Sequence, residues 1–177
     1  MNYREKSLFV AHRGLQPENT LWAFQQAYAQ GFMVAECDVW VSQDKQVVVC
    51  HDETLKRTAV SNSNLLDEPI SSLNYEQLKQ VLVGNNQHAE PVPLLKDVVK
   101  IIPDDKRLLI EIKFKDVNLL KYFIDCVQDY LEKIIVISFY LDVLVELKKI
   151  LPECKIILLT TAKQYAEETV IVSDQQS

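Results

Sequence analysis

Short runs rich in Val, Ile and Phe alternate along this chain with longer amphipathic stretches, the signature of a repeating strand–helix unit. The runs at 8–11, 34–41, 47–52, 108–114, 134–139 and 155–160 read as six strands. Between them, 19–30 places Leu21, Phe24, Ala27 and Tyr28 on one helical face, starting at an Asn/Thr cap and stopping at Gly31. Residues 117–131 and 141–151 repeat the helical pattern, and shorter helices are expected at 75–82 and at 94–102, the latter ended by Pro103. The polar stretch 55–67 reads as a loop, and a β-like run recurs at 169–172. Strands alternating with helices require a parallel α/β fold, either an open doubly wound sheet or a barrel.

One connection breaks the rule. The second and third strands are joined by Ser42-Gln43-Asp44-Lys45-Gln46, shorter than the dozen or more residues of a parallel crossover, so a hairpin is expected there. A turn centred on Asp44-Lys45 pairs Ser42 with Val47, Trp40 with Val49 and Asp38 with His51; a bulge would shift this register by one.

Composition excludes several classes of function. A length of 177 residues predicts a single domain over residues 1–177. Its 19 basic against 25 acidic side chains leave a net charge of -6, which repels phosphate backbones and argues against nucleic acid as a partner. The longest apolar stretch, 134–145, is interrupted by Ser138 and Asp142 and falls short of the ~18 residues of a membrane span, so no stable membrane insertion is expected. The N-terminal segment MNYREKSLFVAHRG is polar and charged and then enters the short first strand, so the long apolar core of a signal peptide is not expected there. Cys37, Cys50, Cys126 and Cys154 lie far apart inside apolar runs, which predicts reduced core thiols in a cytoplasmic protein. No glycine-rich phosphate loop succeeds any strand.

Charged side chains stand at the strand ends instead, and α/β folds gather their functional groups at the C-terminal ends of strands. Glu36 and Asp38 sit two apart in a strand and project to one face. Paired carboxylates there require a positive partner, such as a hard divalent cation, unless they lie on the solvated face of an edge strand. His51 closes the apolar run VVVC beside Asp52, as a strand-end site or a surface histidine. His12-Arg13-Gly14 closes the first strand, either as a capped turn with a satisfied histidine or as a site where Arg13 offers a planar fork for phosphate or carboxylate and Gly14 lets the backbone approach a ligand. Glu111 and Lys113 alternate in an otherwise apolar strand: a pair at its wet end or, at a barrel mouth, a third carboxylate for a metal and a cation for an anion. His88, in the polar stretch GNNQHAEP, reads as solvated.

The ordered motifs HRG, PENT, E-x-D (Glu36 to Asp38), HD (His51-Asp52), PVPLLKDVV, EIK and SFY resemble those of the glycerophosphodiester phosphodiesterase family over nearly the whole chain. The resemblance implies a TIM-type (β/α) barrel and a hydrolase of glycerol and lipid metabolism that cleaves glycerophosphodiesters to an alcohol and sn-glycerol 3-phosphate. By the same resemblance, His12 and His51 are the acid/base pair. Glu36, Asp38 and Glu111 hold one divalent ion, Ca²⁺ or Mg²⁺. Arg13 and Lys113 bind the substrate phosphate, while Glu18 and Asn19 support them, although Asn19 serves equally well as a plain helix cap.

The family continues beyond the strand KIILLT with further βα units that have no counterpart here. The expected architecture is therefore an incomplete barrel, with about six of eight strands, whose open edges invite self-association. The alternative to an active enzyme is a catalytically inactive truncated barrel acting as a binding module or non-functional fragment. Within the same enzyme class, action on a lysophospholipid is a further alternative to a water-soluble diester.

Overall fold

The computed structural model describes residues 9–160. In chain order its elements are β1 (Val10–Ala11), α1 (Leu21–Ala29), β2 (Val34–Val41), β3 (Val47–Val49), α2 (Tyr75–Leu78), β4 (Leu82–Gly84), β5 (Ala89–Pro91), α3 (Leu95–Lys100), β6 (Arg107–Ile112), α4 (Leu120–Val127), β7 (Ile134–Ser138), α5 (Leu141–Ile150) and β8 (Ile156–Leu158). The expected run at 169–172 lies outside the described residues.

β1, β2, β6, β7 and β8 lie side by side in chain order, and every neighbouring pair is parallel. A doubly wound sheet would reverse this order partway, so the winding is that of a barrel. β3 is the sixth strand, antiparallel to the end of β2. Among the described residues β1 and β8 do not pair, and the sheet stays open, as an incomplete barrel requires.

Alternation sets the two faces of the sheet. Ala35, Cys37, Val39 and Val41 of β2, Leu108, Ile110 and Ile112 of β6 and Val136 of β7 are buried in one cluster with Phe24, Leu95, Phe123 and Leu147 of the covering helices. Glu36, Asp38 and Glu111 belong to the opposite face. A second apolar cluster, with Val48, Leu55, Ile70, Leu78, Val83 and Val92, fills the excursion between β3 and α3.

Three details differ from the sequence reading. The β2–β3 turn is a three-residue loop: Ser42 and Gln46 close it (Ser42 N to Gln46 O, 2.9 Å), Lys45 N bonds Ser42 O at 3.0 Å, and Lys45 takes φ +68°. The ladder therefore runs Val41–Val47, Trp40–Val48 and Val39–Val49, one step from the expected register, and Asp38 faces Cys50, whose N–H donates to its carbonyl at 3.0 Å, instead of His51. The helix expected over 75–82 stops at Leu78, because Leu82–Gly84 pairs with Ala89–Pro91 in a hairpin closed by Asn85 N to His88 O at 2.8 Å. The polar stretch around His88 is thus the tip of a hairpin.

Candidate metal and phosphate site

Parallel pairing of β2 with β6 puts Asp38 directly beside Glu111, and the period of two brings Glu36 to the same face. All three carboxylates are buried, and each offers an oxygen within 4.8 Å of the others. Both strands are flanked by others, which removes the solvated-edge reading: Asp38 is 0% exposed and Glu36 5%.

Positive charge comes from two side chains. Lys113, just past β6, places Nζ 2.8 Å from Glu111 Oε1 and 3.0 Å from Asp38 Oδ1. Burial alone would lower its pKa, but the bond to Glu111 and the charge of Asp38 outweigh burial and raise it. Arg13 Nε lies 3.6 Å from Asp38 Oδ2. Three acids against two cations leave the cluster short of positive charge. Burial, then the charge of Asp38, pushes the Glu36 carboxyl up to about 7, although the Arg13 N–H donates to it at 2.9 Å. Among the described residues, Asp38 Oδ1 and Arg13 Nε are the buried side-chain polar atoms without a well-formed hydrogen bond. Three buried carboxylates whose oxygens converge, with only two cations against them, suit a hard divalent cation such as Ca²⁺ or Mg²⁺.

The loop after β1 aims the rest. Arg13 adopts φ +58° and Gly14 φ +75°, with Gly14 N bonded to Ala11 O at 3.0 Å. A Cβ on Gly14 would stand 2.9 Å from Ala23 Cβ, so only glycine lets this turn pack against α1. Asn19 is also left-handed, at φ +55°, and its amide donates to Asp38 Oδ2 at 3.0 Å. Thr20, not Asn19, caps α1: its Oγ1 accepts from Ala23 N at 3.0 Å. Two non-glycine residues with positive φ beside a carboxylate cluster is the distribution expected of a functional site.

The histidines flank this centre. His12 is largely exposed, with Nε2 3.8 Å from Glu36 Oε2. His51 lines a small cleft with Glu18, Asn19 and Thr58, and its Nδ1 is 2.6 Å from Asp52 Oδ1. Arg57 then donates to Asp52 Oδ2 at 2.6 Å and grips Glu18 at 2.6 and 2.9 Å, and Glu18 also accepts from Arg13 Nη1 at 3.2 Å. His51 thus joins the centre through a chain of charges, not as the cross-strand partner of Asp38.

Two long-range contacts beside the site have no signal in the sequence pattern. Arg57 sits in a polar loop 39 positions from Glu18, and only the fold brings them together. Glu90 accepts from the N–H groups of Leu21 and Trp22 at the start of α1, while His88, expected to be solvated, bonds Glu90 at 2.8 Å and stacks on Trp22 with ring centroids 5.2 Å apart.

The model of the glycerophosphoryl diester phosphodiesterase family matches residues 11–176. The chain is 33% identical over 168 residues to a glycerophosphodiester phosphodiesterase of Caldanaerobacter subterraneus subsp. tengcongensis, covering 87% of this chain and 67% of that one. It is 32% identical over 146 residues to a human lysophospholipase D, covering 73% of this chain and 45% of the relative. Among solved structures, an Oleispira antarctica phosphodiesterase in complex with the product sn-glycerol-3-phosphate superposes with a TM-score of 0.73 at 25% identity, covering 93% of this chain and 73% of that one. The chain thus spans from under half to about two thirds of the length of these two curated relatives.

Proposed function

The chain belongs to the glycerophosphoryl diester phosphodiesterase family, and on that premise we propose that it hydrolyses glycerophosphodiesters to an alcohol and sn-glycerol 3-phosphate. The observation that carries the proposal is the buried triad Glu36, Asp38 and Glu111, all within 4.8 Å, with Lys113 and Arg13 against it. These carboxylates would hold one divalent ion, Ca²⁺ or Mg²⁺, which supplies positive charge to the phosphodiester oxygens.

The chain's own residues do the rest. Arg13 and Lys113 bind the phosphoryl oxygens and stabilise the charge that gathers there as the bond breaks. One of His12 and His51 takes the proton from the glycerol 2-hydroxyl as its oxygen attacks phosphorus, and the other gives a proton to the departing alkoxide. With the roles exchanged, water then opens the cyclic phosphate to glycerol 3-phosphate. Glu18 and Asn19 hold Arg13 and Asp38 in place through the bonds described above.

Four free cysteines, three of them buried, support a reducing, cytoplasmic setting. Among the described residues no helix is long and apolar enough to cross a membrane. Exposed Phe9 and Val10 at β1 and Ile157 and Leu158 on β8 support self-association along the sheet edges.

The test is release of glycerol 3-phosphate from glycerophosphocholine with Mg²⁺ or Ca²⁺ present. Turnover by the wild type, lost on chelation and in His12→Ala and Glu36→Ala, is the expected result. No turnover by the folded wild type favours the inactive binding module, and turnover unchanged in both variants removes the assigned roles. A parallel assay on micellar lysophosphatidylcholine decides between the water-soluble diester and the lysolipid.

A further inference from the structure

We propose that Arg57 is a positioning residue that fixes the tautomer and orientation of the His51 ring through Asp52. This rests on the reading of His51 as one of the acid/base pair.

Arg57 is clamped from one side. Its Nη1 and Nη2 donate to the two carboxylate oxygens of Glu18 at 2.9 and 2.6 Å, a bidentate fork, while its Nε donates to Asp52 Oδ2 at 2.6 Å. Glu18 is only 14% exposed at its side chain and is tied to Arg13, so the fork is anchored to the loop that carries the phosphate-binding arginine. Asp52 turns its other oxygen to His51 Nδ1, 2.6 Å away. The His51 carbonyl accepts from Trp40 Nε1 at 3.2 Å, which pins the backbone at the same point.

The donor capacity of each group sets the chemical consequence. The bond from Arg57, ahead of the contact with His51, holds the Asp52 carboxyl below its usual range, and an ionised carboxylate only accepts. The proton in the His51–Asp52 contact therefore sits on Nδ1, and Nε2 keeps the lone pair needed to take a proton. Without Arg57, Asp52 is free to rotate away from the ring or to stay protonated at higher pH, and the tautomer is no longer dictated. A lysine at 57 offers a single ammonium in place of the fork and cannot reach both carboxylates in the same geometry.

The chain contains three histidines, which makes the test direct. With ¹⁵N-labelled histidine in the full chain, long-range ¹H–¹⁵N spectra report the protonated nitrogen of each ring, and His51→Ala assigns its signals. In the wild type His51 is expected as the Nδ1–H tautomer. Asp52→Asn and Arg57→Ala are expected to move His51 in the same direction, Arg57→Lys by less, while His12 and His88 stay in place as markers of the intact fold. His51 signals unchanged in Arg57→Ala, or all three histidines shifted together, overturn the proposal. These spectra need no turnover, so they stand whether or not the hydrolase assay succeeds. Where the enzyme turns over, Arg57→Ala is expected to lower kcat about ten- to a hundredfold with KM little changed, the range for a group supporting a site from behind. In the His51→Ala background Arg57→Ala is expected to cost no more than twofold; a full additional loss there overturns the route through His51.

Discussion

Asn19 and Asp38 hold one another in both directions: Asn19 Nδ2 donates to Asp38 Oδ2 at 3.0 Å, and Asn19 Oδ1 accepts from the Asp38 N–H at 3.5 Å. Asn19→Ala removes both contacts and leaves a residue with a Cβ at φ +55°. The expected loss is about 2–4 kcal/mol, combining an unsatisfied buried group with the left-handed backbone. Asn19→Gly is expected to lose about 1 kcal/mol less, because glycine tolerates that φ. Urea unfolding midpoints at constant slope check both; equal losses would mean the backbone contributes nothing.

Lys113→Met leaves Asp38 and Glu111 side by side without the ammonium between them. Removing one partner of a buried ion pair costs about 3–5 kcal/mol, so the metal-free variant is expected to melt well below the wild type. Added Ca²⁺ or Mg²⁺ is expected to restore more stability to the variant than it gives the wild type, as thermal melts with and without the ion would register. Equal increments would separate the lysine from the cation site.

Acid is expected to erase the contribution of Arg57. Its hydrogen bond is the main reason the Glu18 carboxyl lies below its ordinary 4.5, and Asp52 likewise lies below 3.8. In that range the folded chain binds fewer protons than the unfolded chain, so the stability from these pairs is present above about pH 4.5 and falls away as pH drops through the lowered values. Half-exposed Arg57 limits the gain to about 1 kcal/mol. Arg57→Ala is thus expected to lag the wild type in urea at pH 7 and to lag it by progressively less as the pH falls below about 4.5; a gap that stays constant with pH contradicts the ion-pair origin.

Lys45→Gly is expected to raise stability by about 0.5–1 kcal/mol. Lys45 is exposed, closes the β2–β3 loop at φ +68°, and carries the left-handed strain of an L-residue that glycine avoids, less glycine's greater unfolded freedom. Its melting temperature against the wild type decides.

The alternation of apolar runs made the parallel strands legible, and the two-residue spacing of Glu36 with Asp38 and of Glu111 with Lys113 survives into one cluster because strand geometry is rigidly periodic. The hairpin register was not legible: a single residue entering the left-handed region at Lys45 shifts every pair by one, and lysine gives no hint of it as glycine or asparagine would. The second sheet was hidden because Leu82–Gly84 and Ala89–Pro91 are too short to display alternation. Arg57 and Glu90 act across 39 and 69 positions, a separation at which local pattern carries no information.

Glu90 also changes what the excursion between β3 and α3 can do. Its carboxylate takes two of the amide protons that α1 cannot satisfy internally, with Thr20 taking a third. Replacing the excursion with a short linker would therefore uncap a helix that packs on the main sheet. It also gives the molecule a built-in clock: the amide hydrogens of Leu21 and Trp22 can exchange with solvent only when the β4–β5 hairpin releases them, so their exchange rates count the openings of a segment nearly seventy residues away.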